Sequence, residues 1–233
     1  IVPPAQGLMV YCTNCGTNGE AQLYNGAAWV TLLGGTAAAA SGPTPNVINP
    51  TTNKVWMDRN LGATQVATSS TDADSYGDLY QWGRGADGHQ LRESSQTTTQ
   101  SATDTPGDAL FITESNDWRS TQNDNLWQGV NGINNPCPSG YRLPTETEWT
   151  AEIASWGSDN DDADGAFVSP LKLPMAGRRF ISNGSLHNAG THGFYWSSTV
   201  SSTKSRFLDF NSSTANMNSN YRASGYAVRC LKD

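Results

Sequence analysis

One helix start stands out in this chain, Thr145-Glu146-Thr147-Glu148. A threonine at an N-cap takes a backbone N–H three residues on, and a glutamate there reaches back to the cap, so two orphan donors are satisfied together. Trp149, Ile153 and Trp156 follow at i, i+4 and i+7, one apolar stripe of an amphipathic helix that Gly157 ends. Pro138 and Gly140 form the turn that delivers the chain to the cap, and Cys137 lies just outside it. Helix signals elsewhere are scarce. With 8 Trp in the chain, burial of aromatic area is the expected source of stability, and Trp118, Trp127 and Trp149 are core candidates.

The 233 residues could hold one large domain or two small ones. Charged residues make up 15%, well under the ~25% of an average soluble protein. Ser, Thr, Asn and Gly replace them, a composition common on outer surfaces. A net charge of -7 argues against a nucleic-acid partner and against an anionic membrane. No apolar run is long enough to span a bilayer, so membrane insertion is not expected. The chain opens Ile1-Val-Pro-Pro without a Met or a signal peptide, and reads as a mature product or a piece of something longer.

Residues 1–34 alternate short β-prone runs with Asn18-Gly19 and Asn25-Gly26, each a hairpin signal. They predict a small β stem, through which the chain could oligomerise. Cys12 and Cys15 inside it could be a redox motif, half a zinc site or a local disulfide, the last being expected in an oxidising compartment. Residues 35–45, rich in Gly, Ala and Pro, read as a linker, and a larger domain spans 46–233. Within it Lys54–Met57 and Leu171–Leu173 are expected strands. Tyr76 to Trp82 carries core aromatics, and Glu93 to Thr105 reads as a solvated loop.

Asn160, Asp162 and Asp164, followed by Gly165, match the start of a calcium loop, with oxygen ligands at alternate positions and a glycine for the turn. The bidentate carboxylate of an EF-hand would fall on Leu171, so that motif is excluded, and an acidic surface loop is the competing reading. Asp72, Asp74 and Asp78 form a weaker set. No cofactor is required by any other motif, and calcium is the one ion the chain could take. His187 and His192 read as surface loop, and no nucleophile elbow or phosphate-cradling loop occurs.

Tyr141-Arg-Leu-Pro-Thr-Glu-Thr-Glu-Trp149 resembles the core motif of the formylglycine-generating (sulfatase-modifying) branch of the C-type-lectin fold. Together with Val55–Ala63, Tyr76–Arg84, Asn116–Arg119, Tyr195–Ser198 and Val228–Cys230, it resembles the Fibrobacter succinogenes major paralogous domain family, in the same order. The resemblance implies an α+β, C-type-lectin-like fold with mixed, mostly antiparallel strands and few helices. Four cysteines allow three pairings; closure of the domain's two ends in that fold pairs Cys137 with Cys230. The animal-lectin tripeptides Glu-Pro-Asn and Gln-Pro-Asp do not occur. The enzyme branch needs reactive cysteines, and such a pairing leaves no obvious catalytic thiol.

Of the 28 residues from Ser197 to Ser224, 16 are Ser, Thr or Asn. Leu208 and Phe210 alternate with Phe207, Asp209 and Asn211, so one face should be core and the other exposed. Tyr with Ser, Asn and Gly is the composition of a paratope. The segment resembles the variable region of proteins diversified by retroelements, in which Asn codons are mutagenised at adenines. On that resemblance the ligand-binding residues are Phe207, Asp209, Asn211, Ser212, Ser213, Asn216, Asn218, Asn220, Tyr221, Ser224 and Tyr226. Phe207, Tyr221 and Tyr226 would be exposed anchors, with Trp196 and Met217 as scaffold. The function expected is non-enzymatic: a module binding a protein or glycan receptor on another surface, placed extracellularly, on a cell surface or on a virion tail. A formylglycine-generating-type enzyme is the alternative.

Overall fold

The structure is a computed structural model. It describes residues 46–157 and 161–233, together with the backbone of 9–12, 20–24 and 29–31. The chain divides into two compact units, Ile1–Pro45 and Asn46–Asp233. In the first, β1 (Met9–Cys12), β2 (Glu20–Tyr24) and β3 (Trp29–Thr31) form an antiparallel meander, and the Asn-Gly pairs lie outside the described residues. The Cys12–Cys15 pairing lies outside the described residues.

The second unit is mixed α+β, mostly antiparallel. It opens on the hairpin β4 (Asn46–Asn49) and β5 (Lys54–Met57). A long irregular stretch follows, carrying a 3-10 turn at Ala73–Ser75 and the short strands β6 (Tyr80–Gln81), β7 (Gln96–Thr97), β8 (Phe111–Ile112) and β9 (Tyr141–Arg142). Helix α1 (Glu146–Ala154) is capped as its sequence predicts: Thr145 Oγ1 accepts from Glu148 N–H, and the Glu148 carboxylate takes Thr145 N–H at 2.9 Å. Helix α2 (Ala163–Val168) comes next. Then come β10 (Arg178–Arg179), β11 (Leu186–His187), β12 (His192–Ser201), β13 (Lys204–Asn211), β14 (Ala215–Tyr221), β15 (Gly225–Tyr226) and β16 (Leu231–Lys232).

Two sequence expectations are corrected here. Leu171–Leu173 is a turn rather than a strand, and its leucines enter the core as fully buried side chains. The acidic run is no loop at its second half. Asp162 N-caps α2, its carboxylate accepting from Asp164 N–H at 2.9 Å and Gly165 N–H at 3.2 Å. Of the calcium set, Asn160 lies outside the described residues. Asp72 likewise spends its carboxylate on Gln65, Thr68 and Asp74. Among the described residues no three His, Cys, Asp or Glu side chains converge as metal ligands would.

Strand β16 pairs with both β5 and β9, so the start and end of this unit share one sheet, β4-β5-β16-β9. Cys137, before β9, is disulfide-bonded to Cys230, before β16, with Cα atoms 5.9 Å apart. A second sheet runs β11-β10-β15-β6 and a third β12-β13-β14, and the bridges Gly177–Gly193 and Tyr195–Ala227 join them.

The third sheet separates two cores. One face, with Tyr195, Leu208 and Phe210, packs with Trp56, Trp149 and Trp156. The other, with Phe194, Trp196 and Phe207, packs with Trp82, Trp118, Trp127 and Tyr226. Tryptophans also supply donors to buried backbone carbonyls: Trp82 Nε1 to Ser197 O at 2.9 Å, Trp118 to Trp82 O at 2.7 Å, Trp196 to Tyr80 O at 2.8 Å. Buried carbonyls need such partners, which lets a unit so poor in helix keep a dense interior.

Candidate functional site

The pairing of β12, β13 and β14 decides which side chains share a face. Phe207 stands opposite Trp196 and Asn218, Asp209 opposite Phe194 and Asn216, and Asn211 opposite His192. The alternation read from the sequence is therefore correct, but its assignment of exposure is not. Phe207 is 3% exposed and Tyr226 is fully buried, their rings 4.7 Å apart, with Trp196 and Phe194 completing the cluster. Two of the three expected exposed anchors, Phe207 and Tyr226, are core residues, because this face is covered over half its length by the second core, while Tyr221, opposite Lys204, lies on the other side of the sheet. Ser224 is buried as well. Asn216, Asn218, Ser212 and Ser213 remain exposed, and Asp209, Asn211, Asn220 and Tyr221 are half-buried.

The asparagines are oriented by their own backbone. Asn211 Oδ1 accepts from Ser213 N–H, and Asn218 Oδ1 from Ser219 N–H, both at 2.8 Å. Asn220 Oδ1 takes Tyr221 N–H at 2.8 Å, while its Nδ2 donates to the Tyr226 hydroxyl at 2.5 Å. With the carbonyl oxygens engaged, half-buried Asn211 and exposed Asn218 keep their amino groups as the remaining donors.

Beside this strip stands a group that the sequence reading missed. Gly177, at φ +69, has the backbone of Ala189 and His187 where a Cβ would sit, and it turns the chain into β10. Successive residues of β10 then point to opposite sides. Arg179 goes inward and donates to the carbonyls of Gly184, Leu91 and Ser94. Arg178 goes outward, its guanidinium 5.2 Å from the Phe180 ring centroid and 5.1 Å from that of Phe194. Histidines close the stack at either end: His187 against Phe180 at 5.2 Å, and His192 parallel to Phe194 at 5.7 Å. Asp209 lies next to Phe194, and burial pushes its carboxyl up, against the opposing pull of His192 and Arg178. Its Oδ1 is buried without a partner, as is Arg178 Nε. The available signal was a pair of arginines after a glycine in a chain where charge is sparse. Of the two histidines, read as loop, His187 ends the two-residue β11 and His192 opens the ten-residue β12.

Residues 154–231 match the family model described as "Domain of unknown function (DUF8237)". No curated protein and no solved structure matches the chain. The matched stretch runs from the end of α1 through β12, β13 and β14, and so contains every residue of this face.

Proposed function

We propose that residues 46–233 form a C-type-lectin-like, non-enzymatic binding module whose ligand surface is the outer strip of β13 and β14 with the Arg178 group beside it. The observation that carries this is a polar strip, exposed or half-buried, laid over an aromatic core. Rigid support beneath adaptable Asn and Ser side chains is what a recognition surface needs, since it limits the ordering cost of binding. On this reading the face belongs to a retroelement-diversified protein acting extracellularly or on a virion tail, toward a receptor on another surface. The disulfide is compatible with such a place.

Binding of the labelled whole chain to arrayed glycans and surface proteins tests the site. The variant Asn211→Ala/Asn216→Ala/Asn218→Ala should lose binding with an unchanged melting temperature. Undiminished binding by that variant would move the site elsewhere. Free thiols in the unreduced, denatured chain would favour the formylglycine-generating alternative. A genomic neighbourhood lacking both a near-copy of the 3′ coding end and a reverse transcriptase gene would remove the diversification.

A further inference from the structure

The chemistry of one ligand group can be taken further, on the reading that this face binds. The chain has ten arginines, all within the described residues. Six form ion pairs with carboxylates. Arg92, Arg179 and Arg229 donate to backbone carbonyls. Arg178 does neither. Two aromatic faces hold its guanidinium in place. Its Nε is buried without a partner, the guanidinium also reaches the Tyr226 hydroxyl, and the residue as a whole is half-buried. Asp209 is the mirror case, with Oδ1 buried and unpaired in a half-buried side chain. The two groups sense each other but are not within ion-pair distance.

A guanidinium and a carboxylate side by side, neither ion-paired within the described residues, can together hold a ligand that offers the complementary charge and donor. We propose that Arg178 and Asp209 together receive a carboxylate bearing a hydroxyl or amide N–H one or two carbons away. The carboxylate takes the paired N–H groups of the planar guanidinium, whose geometry it matches. The neighbouring donor reaches Asp209. A dianion such as phosphate would set two negative charges against the Asp209 carboxylate, whereas a monoanion with its own donor suits both groups. The amino groups of Asn211 and Asn218 add donors for the rest of the ligand. The large aromatics that anchor protein–protein contacts are absent from the strip, because Phe207 and Tyr226 are buried in the core.

The chemistry fits a uronic-acid residue and the C-terminal residue of a peptide, so the probes are D-glucuronate and N-acetylglycine, with acetate and D-glucose as controls. Amide NMR titrations of the whole chain at constant ionic strength should give saturable shifts in β10, β12 and β13 with at least one of the two probes. Acetate should bind more weakly and glucose should not bind. The stronger of the two probes identifies the source. Arg178→Gln should weaken binding by about tenfold or more. Asp209→Asn, nearly isosteric, should erase the preference over acetate, and decides the matter even if Arg178→Gln fails to fold. Absence of saturable shifts with both probes, glucose binding as well as glucuronate, or unchanged affinity in either folded variant overturns the assignment. If array binding survives Arg178→Gln but not the triple Asn variant, the face still binds and the carboxylate assignment alone falls.

Discussion

Phe207 and Leu208 are neighbours in the chain and sit in different cores. Leu208 packs beneath α1 with Trp149, and Phe207 packs against Trp196 and Tyr226 on the other side of the sheet. Truncation of either leaves a cavity in a closely packed environment. Phe207→Ala is expected to cost about 3–5 kcal/mol and Leu208→Ala about 2–5 kcal/mol in denaturant titrations. Because the two are bonded neighbours in β13, any departure of the double variant from additivity measures the coupling between the cores through that strand. A Phe207→Ala variant as stable as the parent would mean that the aromatic cluster does not hold. From the sequence, Phe207 looked like an exposed anchor because its strand neighbours on that face are Asp209 and Asn211. Its cover comes from Phe194, Trp196 and Tyr226, all on other strands, and no local pattern encodes that. Arg178 was hidden for the same reason: its meaning depends on Phe194, supplied by another sheet.

At the scale of elements, α1 was legible because its determinants lie within four residues. Glu148 does more than close the cap. It accepts from Arg142 through both carboxylate oxygens at 2.8 Å and from Lys54 at 3.3 Å, joining helix, β9 and β5. Burial would raise its pKa, but the Arg142 hydrogen bonds, helped by Thr145 N–H, outweigh that and hold the carboxyl at about 2. A carboxyl whose folded pKa is depressed stabilises the fold above its ordinary pKa of 4.5 and loses that contribution as pH falls toward 2. Unfolding free energy should therefore decline between pH 4.5 and pH 2, and less steeply in Glu148→Gln; identical slopes would assign the acid sensitivity to other groups. Helix α2 escaped the sequence reading because six residues carry too little periodicity, and because the Asp162 cap resembles a ligand loop. The Leu171–Leu173 error has a similar cause, since alternate leucines can flank a turn as well as a strand.

Across the whole molecule, the Cys137–Cys230 bond spans 93 residues and fastens the sheet where the two ends of the second unit meet. On the chain-entropy account a loop of this size stabilises by about 4–5 kcal/mol. The Cys137→Ala/Cys230→Ala variant should melt well below the parent in calorimetry, and equal melting temperatures would show that β16 needs no covalent fastening. Three strands backed by two cores also make the outer strip a ruler. Along a strand, side chains on one face recur about every 7 Å, and neighbouring strands lie about 5 Å apart. Asn216, Asn218 and Asn220 mark three divisions of that scale, with Asp209 and Asn211 on the adjoining strand. Exchange of these residues alters what is written at each mark without moving the marks. On the proposed reading, a ligand of the strip would meet hydrogen-bonding groups at multiples of those two spacings.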